Sequence, residues 1–216
     1  MNPKLMSPVL CAALLVGGCA TSVEMTPESR SSVRTISMQP QIPIGPIRVM
    51  TMGRALSIGL SGVLGGAVGG AIVGGAQATA KNEPADQMTE AMAKNGIRID
   101  QVFRDEFIRQ VGEKHPFKLV DGKGDDQLVI VVPIWGLSVP DPYQYALRPI
   151  VTAIAILKDP SGKVVWKDVE RSSELNFSVP RHTLGEFQAN PEFLREGFRK
   201  ASETVVGKLL DNYAGK

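Results

Sequence analysis

Ile150-Val151-Thr152-Ala153-Ile154-Ala155-Ile156-Leu157, the turn Asp159-Pro160-Ser161-Gly162 and the return Lys163-Val164-Val165-Trp166-Lys167-Asp168-Val169 decide the fold. The first run is rich in β-branched residues and too short for a buried helix, so it reads as a strand. Proline presets φ in the turn and glycine supplies the permissive position, so the two runs are joined as a hairpin. Leu128 to Leu137 is a second strongly apolar, β-branched run. A proline-rich excursion with Pro140, Pro142 and Pro149 separates it from the first. The expectation is a meander of antiparallel strands.

Helices flank this meander. Pro84 to Lys94 has helical character, and Asn95-Gly96 is a C-terminal stop signal. Asp100 is expected to cap a helix over Gln101 to Glu113, in which Val102, Phe103, Phe107 and Val111 form an apolar stripe. Phe117 to Val120 reads as a short strand and Asp121 to Asp126 as a turn. Thr183-Leu184-Gly185-Glu186 has the capping-box pattern. Asn190-Pro191-Glu192 opens the last helix with a cap, a first-turn proline and an acid at the positive dipole end. Leu194, Phe198, Ala201, Val205 and Leu209 give that helix its stripe. Helical stripes laid on one side of an antiparallel sheet make an α+β two-layer sandwich.

Upstream, Val33 to Met38 alternates apolar and polar residues, and Ile47 to Met52 does so less cleanly; both read as strands. Between them, Pro40, Pro43 and Pro46 mark a loop. Ala55 to Ala80 contains no charge over 26 residues and consists mainly of glycine, alanine and small aliphatics. Gly62, Gly66, Gly70 and Gly74 recur at four-residue steps, which on a helix form one face that a second backbone can approach closely. Residues 59–75 resemble the glycine zipper of small bacterial surface antigens and envelope lipoproteins. Three readings of the segment stand: a membrane-inserting helical hairpin or span, an oligomerisation helix, and a Gly/Ala loop. The loop reading rests on the helix cost of glycine, ~1 kcal/mol relative to alanine.

The N-terminus carries the plainest localisation signal. Lys4 precedes the apolar run Leu5 to Val16, and Gly17-Gly18-Cys19-Ala20 follows. Val16-Gly17-Gly18-Cys19 resembles the lipobox of bacterial lipoproteins. The resemblance implies cleavage before Cys19, lipidation of Cys19 (palmitate among its acyl chains) and an anchor in the bilayer. Ala20, where aspartate would signal inner-membrane retention, implies an outer-membrane protein facing the periplasm. The chain then divides into a signal peptide at 1–18, a lipidated tether at 19–31, N-terminal strands at 32–52, a glycine-rich apolar segment at 53–81 and a periplasmic α+β domain at 82–216.

Composition narrows the function. Cleavage leaves about 200 residues, enough for one core-bearing domain with an appendage. The whole chain has a net charge of +2. A near-neutral balance argues against nucleic acid, which calls for a basic stripe. Cys11 lies within the signal, so an acylated Cys19 leaves no thiol for a disulfide or a thiolate metal site. His115 and His182 are the only histidines; no His-x-x-x-His, calcium-loop or phosphate-loop spacing occurs, and no Gly-x-Ser-x-Gly elbow. The expectation is a non-enzymatic protein with no metal and no cofactor. The loop Val139-Pro140-Asp141-Pro142-Tyr143-Gln144-Tyr145 displays Tyr143 and Tyr145 among prolines as candidate partner-binding anchors.

The lipobox, the glycine segment and the Asp159–Trp166 hairpin together resemble a group of Gram-negative envelope lipoproteins. The hairpin is also similar to those in periplasmic domains of penicillin-binding-protein activators and the curli secretion lipoprotein. The resemblance implies scaffolding, secretion or regulation of an envelope machine, with an envelope protein or a homo-oligomer as partner. The alternative is a pore or transport component assembled through the glycine-rich segment.

Overall fold

The computed structural model describes residues 22–51, 83–139, 146–173 and 176–216. In chain order the elements are α1 (Pro27–Ser32), β1 (Thr35–Met38), β2 (Ile47–Thr51), α2 (Glu83–Lys94), α3 (Ile99–Lys114), β3 (Lys118–Val120), β4 (Asp126–Val139), β5 (Arg148–Lys158), β6 (Val164–Arg171), α4 (Leu184–Ala189) and α5 (Pro191–Ala214). Helices pack on a six-stranded sheet, so the fold is the α+β two-layer sandwich expected from the sequence.

The expected meander is present: β4 pairs β5 and β5 pairs β6, both antiparallel. The Asp159 carboxylate accepts hydrogen bonds from the Ser161 and Lys163 amides and locks the β5–β6 turn. The sheet as a whole is mixed, however, where an antiparallel one was expected. β1 and β2 both run parallel to β4, beside Asp126–Leu128 and Trp135–Val139 respectively, and β3 adds parallel to β1. The two expected N-terminal strands are thus two parts of one interrupted strand along the edge of β4. Met38 pairs with Leu128 and Ile44 bridges to Val132, so this edge takes two more residues than β4 over the same rise. Pro40, Pro43 and Pro46 have no N–H to give a ladder, which explains the interruption. Val132 N–H to the Pro43 carbonyl and Gly45 N–H to the Val132 carbonyl, both 2.9 Å, bridge the gap. Alternation along 33–38 and 47–52 reports which face a side chain takes, not which way its strand runs.

One apolar core lies between helices and sheet. Phe103, Phe107 and Val111 of α3 join Phe198, Val205 and Leu209 of α5 over Leu128, Ile130, Trp135, Val151 and Leu157. Phe198 meets Trp135 edge-on at 5.5 Å, and Tyr213 meets Trp166 at the same separation. Ala153 and Ala155 keep β5 low under this layer. α3 begins two residues earlier than expected, and Asp100 is not its cap. Arg98 occupies the cap position without a side-chain cap bond, and its guanidinium holds both Asp100 oxygens (3.2 and 2.6 Å).

Glu106 is buried where α3 meets α5. Its carboxylate accepts from Arg109 Nε (2.9 Å) and Gln110 Nε2 (2.7 Å), and Gln110 Nε2 also donates to the Glu203 carbonyl of α5 (2.8 Å). Burial alone would push this carboxyl up; the hydrogen bonds from Arg109 and Gln110 outweigh it and hold the group below its ordinary value. A depressed acid contributes stability above its unfolded value, about 4.3, and that contribution is lost as pH falls through the folded value. Urea melts of wild type and Glu106→Gln should therefore differ most at neutral pH and converge on acidification below about pH 4. A gap independent of pH would show that the carboxylate's charge does not act there.

Candidate functional site

Cys19, the glycine row Gly62, Gly66, Gly70 and Gly74, and Tyr143 with Tyr145 all lie outside the described residues. The structure instead shows what their flanks do. The stretch expected to be a tether is docked from its fourth residue after Cys19 onward. Val23 N–H donates to the Lys167 carbonyl (2.8 Å) and Lys167 N–H returns the bond to Val23 (3.0 Å), an antiparallel bridge onto β6. Met25 then enters the core, and α1 follows. Thr26 caps α1 by accepting from Ser29 N–H at 3.1 Å, ahead of Pro27 and Glu28. This is the same cap–proline–acid pattern as Asn190-Pro191-Glu192, so the signal for α1 was in the sequence.

α1, β6 and the end of α5 enclose a cavity of about 470 Å³ lined by Glu24, Met25, Arg30, Trp166, Asp168 and Asn212. The Arg30 guanidinium lies against Gly215, the left-handed C-cap of α5 (φ +74°), where it meets the negative end of that helix. Asn212 Nδ2 donates to Asp168 (2.7 Å) and Glu170 (2.9 Å), and Lys208 pairs with Glu170 at 3.6 Å. Burial beneath this cluster pushes the Tyr213 phenol up, against the opposing charge of Arg30. These polar groups bind one another and join α5 to β6.

Neither histidine joins this cluster. His115 is the left-handed C-cap of α3, and His182 stacks flat on Phe193 at 3.9 Å. Glu186, 3.9 Å from His182 Nδ1, completes the expected capping box by accepting from Thr183 N–H and Oγ1. Among the described residues no group of three or more His, Cys, Asp or Glu is placed to hold a metal ion. No described helix is long and apolar enough to cross a membrane.

The other end of the sheet presents an aromatic. Phe177 is 85% exposed, with the Arg148 guanidinium 5.4 Å from its ring centroid. Burial, and Arg181 nearby, lower the Arg148 pKa. Asn176 pins the turn: its Oδ1 accepts from Ser178 N–H (3.0 Å), and its Nδ2 donates to Thr204 of α5 (2.7 Å). Residues 140–145 join β4 to β5 at this same end, where Ser138 faces Arg148. Register places Lys167 beside Ile156 and Ile156 beside Val129, so the tip stands nine residues up the sheet from the Val23 bridge, about 30 Å. Phe177 was not singled out from the sequence because residues 172–178 carry no periodicity.

No protein-family model matches the chain, and no curated protein matches it. Solved structures resemble it at low identity. XCC0632 from Xanthomonas campestris, of the DUF330 family, is 12% identical, with a TM-score of 0.40 over 89% of this chain and 93% of that one. PelC from Paraburkholderia phytofirmans, a dodecamer, is 11% identical, with a TM-score of 0.33 and the same coverage. Lipoprotein GNA1162 from Neisseria meningitidis is 16% identical, with a TM-score of 0.26 over 85% of this chain and 99% of that one.

Proposed function

We propose that the chain is a lipoprotein anchored in the outer membrane through acylated Cys19, facing the periplasm and acting as a non-enzymatic scaffold that binds an envelope protein. The observation that carries this reading is the Val23–Lys167 bridge. Only Ala20, Thr21 and Ser22 separate the acylated residue from a sheet-paired one, a reach of about 10–14 Å at ~3.5 Å per residue. Such a short connection holds the domain against the bilayer in one orientation. The tip with Phe177 is then the end turned toward partners, and the connection that carries Tyr143 and Tyr145 leaves β4 at Val139, at the same end of the sheet. A rigid aromatic on a pinned turn is the kind of residue that anchors an interface.

Labelled palmitate should appear on the mature protein and vanish in Cys19→Ala, which should leave the membrane fraction; an unlabelled wild type removes the anchor. A photo-crosslinker at Phe177, Tyr143 or Tyr145 should capture one recurring envelope protein, while the same probe at exposed Ile108 on α3 should not. Capture of nothing at the tip would overturn the partner assignment. Dye leakage from vesicles that disappears in Gly66→Leu or Gly70→Leu would favour the pore reading instead.

A further inference from the structure

The cavity enclosed by α1, β6 and the end of α5 holds two charged groups that no described residue pairs. Its volume of about 470 Å³ falls within the roughly 300–1,000 Å³ of sites that take small molecules. Asp168 in its wall is engaged: the carboxylate accepts from Asn212 Nδ2 (2.7 Å) and from the Val169 amide (2.8 Å). Arg30 is not. Among the described residues its one hydrogen bond runs from Nη2 to the Met25 carbonyl at 3.5 Å, the long limit for such a bond. Its Nε is buried without a partner, and no described carboxylate forms an ion pair with it. A guanidinium carries five N–H donors, and a buried donor left unmet calls for an acceptor. Glu24, in the same wall, is exposed and has no cation among the described residues either. Lys216 adds a second positive charge to the wall.

We infer that this cavity binds the phosphoethanolamine headgroup of a phospholipid, with the phosphate on Arg30 and the ammonium toward Glu24. A phosphate diester presents the paired oxygens that an arginine takes through two N–H groups at once, which gives the buried Nε its acceptor. A simple anion would leave Glu24 beside further negative charge, whereas a zwitterion answers both groups. The place of the cavity fits as well. Ser22 lines it and is three residues from Cys19, at most about 11 Å at full extension. The polar layer of one leaflet is about 5–8 Å deep, so a mouth this close to an acylated residue opens at the level of the headgroups. The site draws its lipid from the leaflet that holds acylated Cys19 and so rests on the anchor proposed above. Binding itself is measured in detergent solution and is kept or lost independently of that anchor.

The full lipidated chain in a neutral detergent, titrated with dihexanoyl phosphatidylethanolamine and followed by native mass spectrometry, should take up one lipid per chain at saturation. Dihexanoyl phosphatidylglycerol, which keeps the phosphate and lacks the amine, should bind at least fivefold more weakly. Dihexanoylglycerol, without the phosphate, should not bind. Arg30→Gln should weaken both phospholipids at least tenfold. Glu24→Gln removes an exposed carboxylate that holds nothing in the fold; it should erase the preference between the two lipids while leaving phosphatidylglycerol bound. Because Arg30 also meets the end of α5, Glu24→Gln decides the matter if Arg30→Gln releases α1. Lys123→Gln, in the exposed turn before β4, should change neither affinity. Equal binding of the two lipids by wild type, or a preference that survives Glu24→Gln, would overturn the assignment. Displacement of the lipid by an equal concentration of inorganic phosphate would make free phosphate the ligand and overturn it too. A palmitate-labelled wild type that binds no lipid would remove the headgroup site and leave the anchor standing.

Discussion

Phe198→Ala should lower unfolding free energy by about 3–5 kcal/mol, the range for emptying a fully buried phenylalanine site. Phe198 has no exposed surface and meets Trp135 of β4 edge-on at 5.5 Å, so its ring connects α5 to the centre of the sheet. Alanine removes the transfer free energy of the ring and the aromatic contact, and the site collapses only partly because Leu194, Ala201 and the β5 alanines are themselves fixed. A domain of this size has about 5–15 kcal/mol in total, so the variant should fold but melt well below wild type. Urea denaturation should show a lower midpoint with an unchanged m-value, and the emission of Trp135 should shift because its neighbour is gone. Ile108→Ala, on the exposed side of α3, should change stability by less than about 0.5 kcal/mol. A Phe198→Ala loss of that same small size would mean that α5 does not lie over Trp135.

The contrast between those two sites was legible from spacing alone, because Phe198 falls on the apolar stripe of the last helix and Ile108 falls off that of α3. Local chemistry was equally readable: Thr183 and Glu186 form the reciprocal cap, and Asp159 closes the hairpin. Direction was not readable. Residues 35–51 could pair either way, and only the three-dimensional register shows them parallel to β4. The candidate sites divide in the same manner. Cys19, outside the described residues, is proposed from a linear processing pattern, whereas Phe177 owes its place to Arg148 and to Thr204 beneath its turn, which are distant in sequence. The docking of Val23 likewise depends on a free edge of β6 that no local pattern announces.

Gly136→Ala should destabilise by about 2–5 kcal/mol, combining backbone strain with overpacking. Gly136 has φ +146°, a conformation that side chains rarely adopt, and it pairs with Arg48 of β2. A Cβ built there would collide with the Arg48 carbonyl and its backbone. The sheet is therefore closed at this point by the absence of a side chain. β2 pairs with β4 and with no other described strand, so the variant has a partial escape: it can release β2 and keep β4–β5–β6. Release would uncover the Trp135 Nε1–Gly45 carbonyl bond (2.5 Å) and the apolar contacts of Ile47 and Val49 with the core. Those losses set the lower end of the range. Gly162→Ala is the control, because Gly162 also has positive φ (+85°) but nothing within 4 Å of the added methyl, so only the conformational cost of about 1 kcal/mol applies. Hydrogen exchange then locates the damage: the β2 amides that donate to β4 should lose protection in Gly136→Ala while those of Ile154 and Ile156 keep theirs. Equal losses in the two variants, with β2 still protected, would show that β2 does not approach β4 as closely as this register requires.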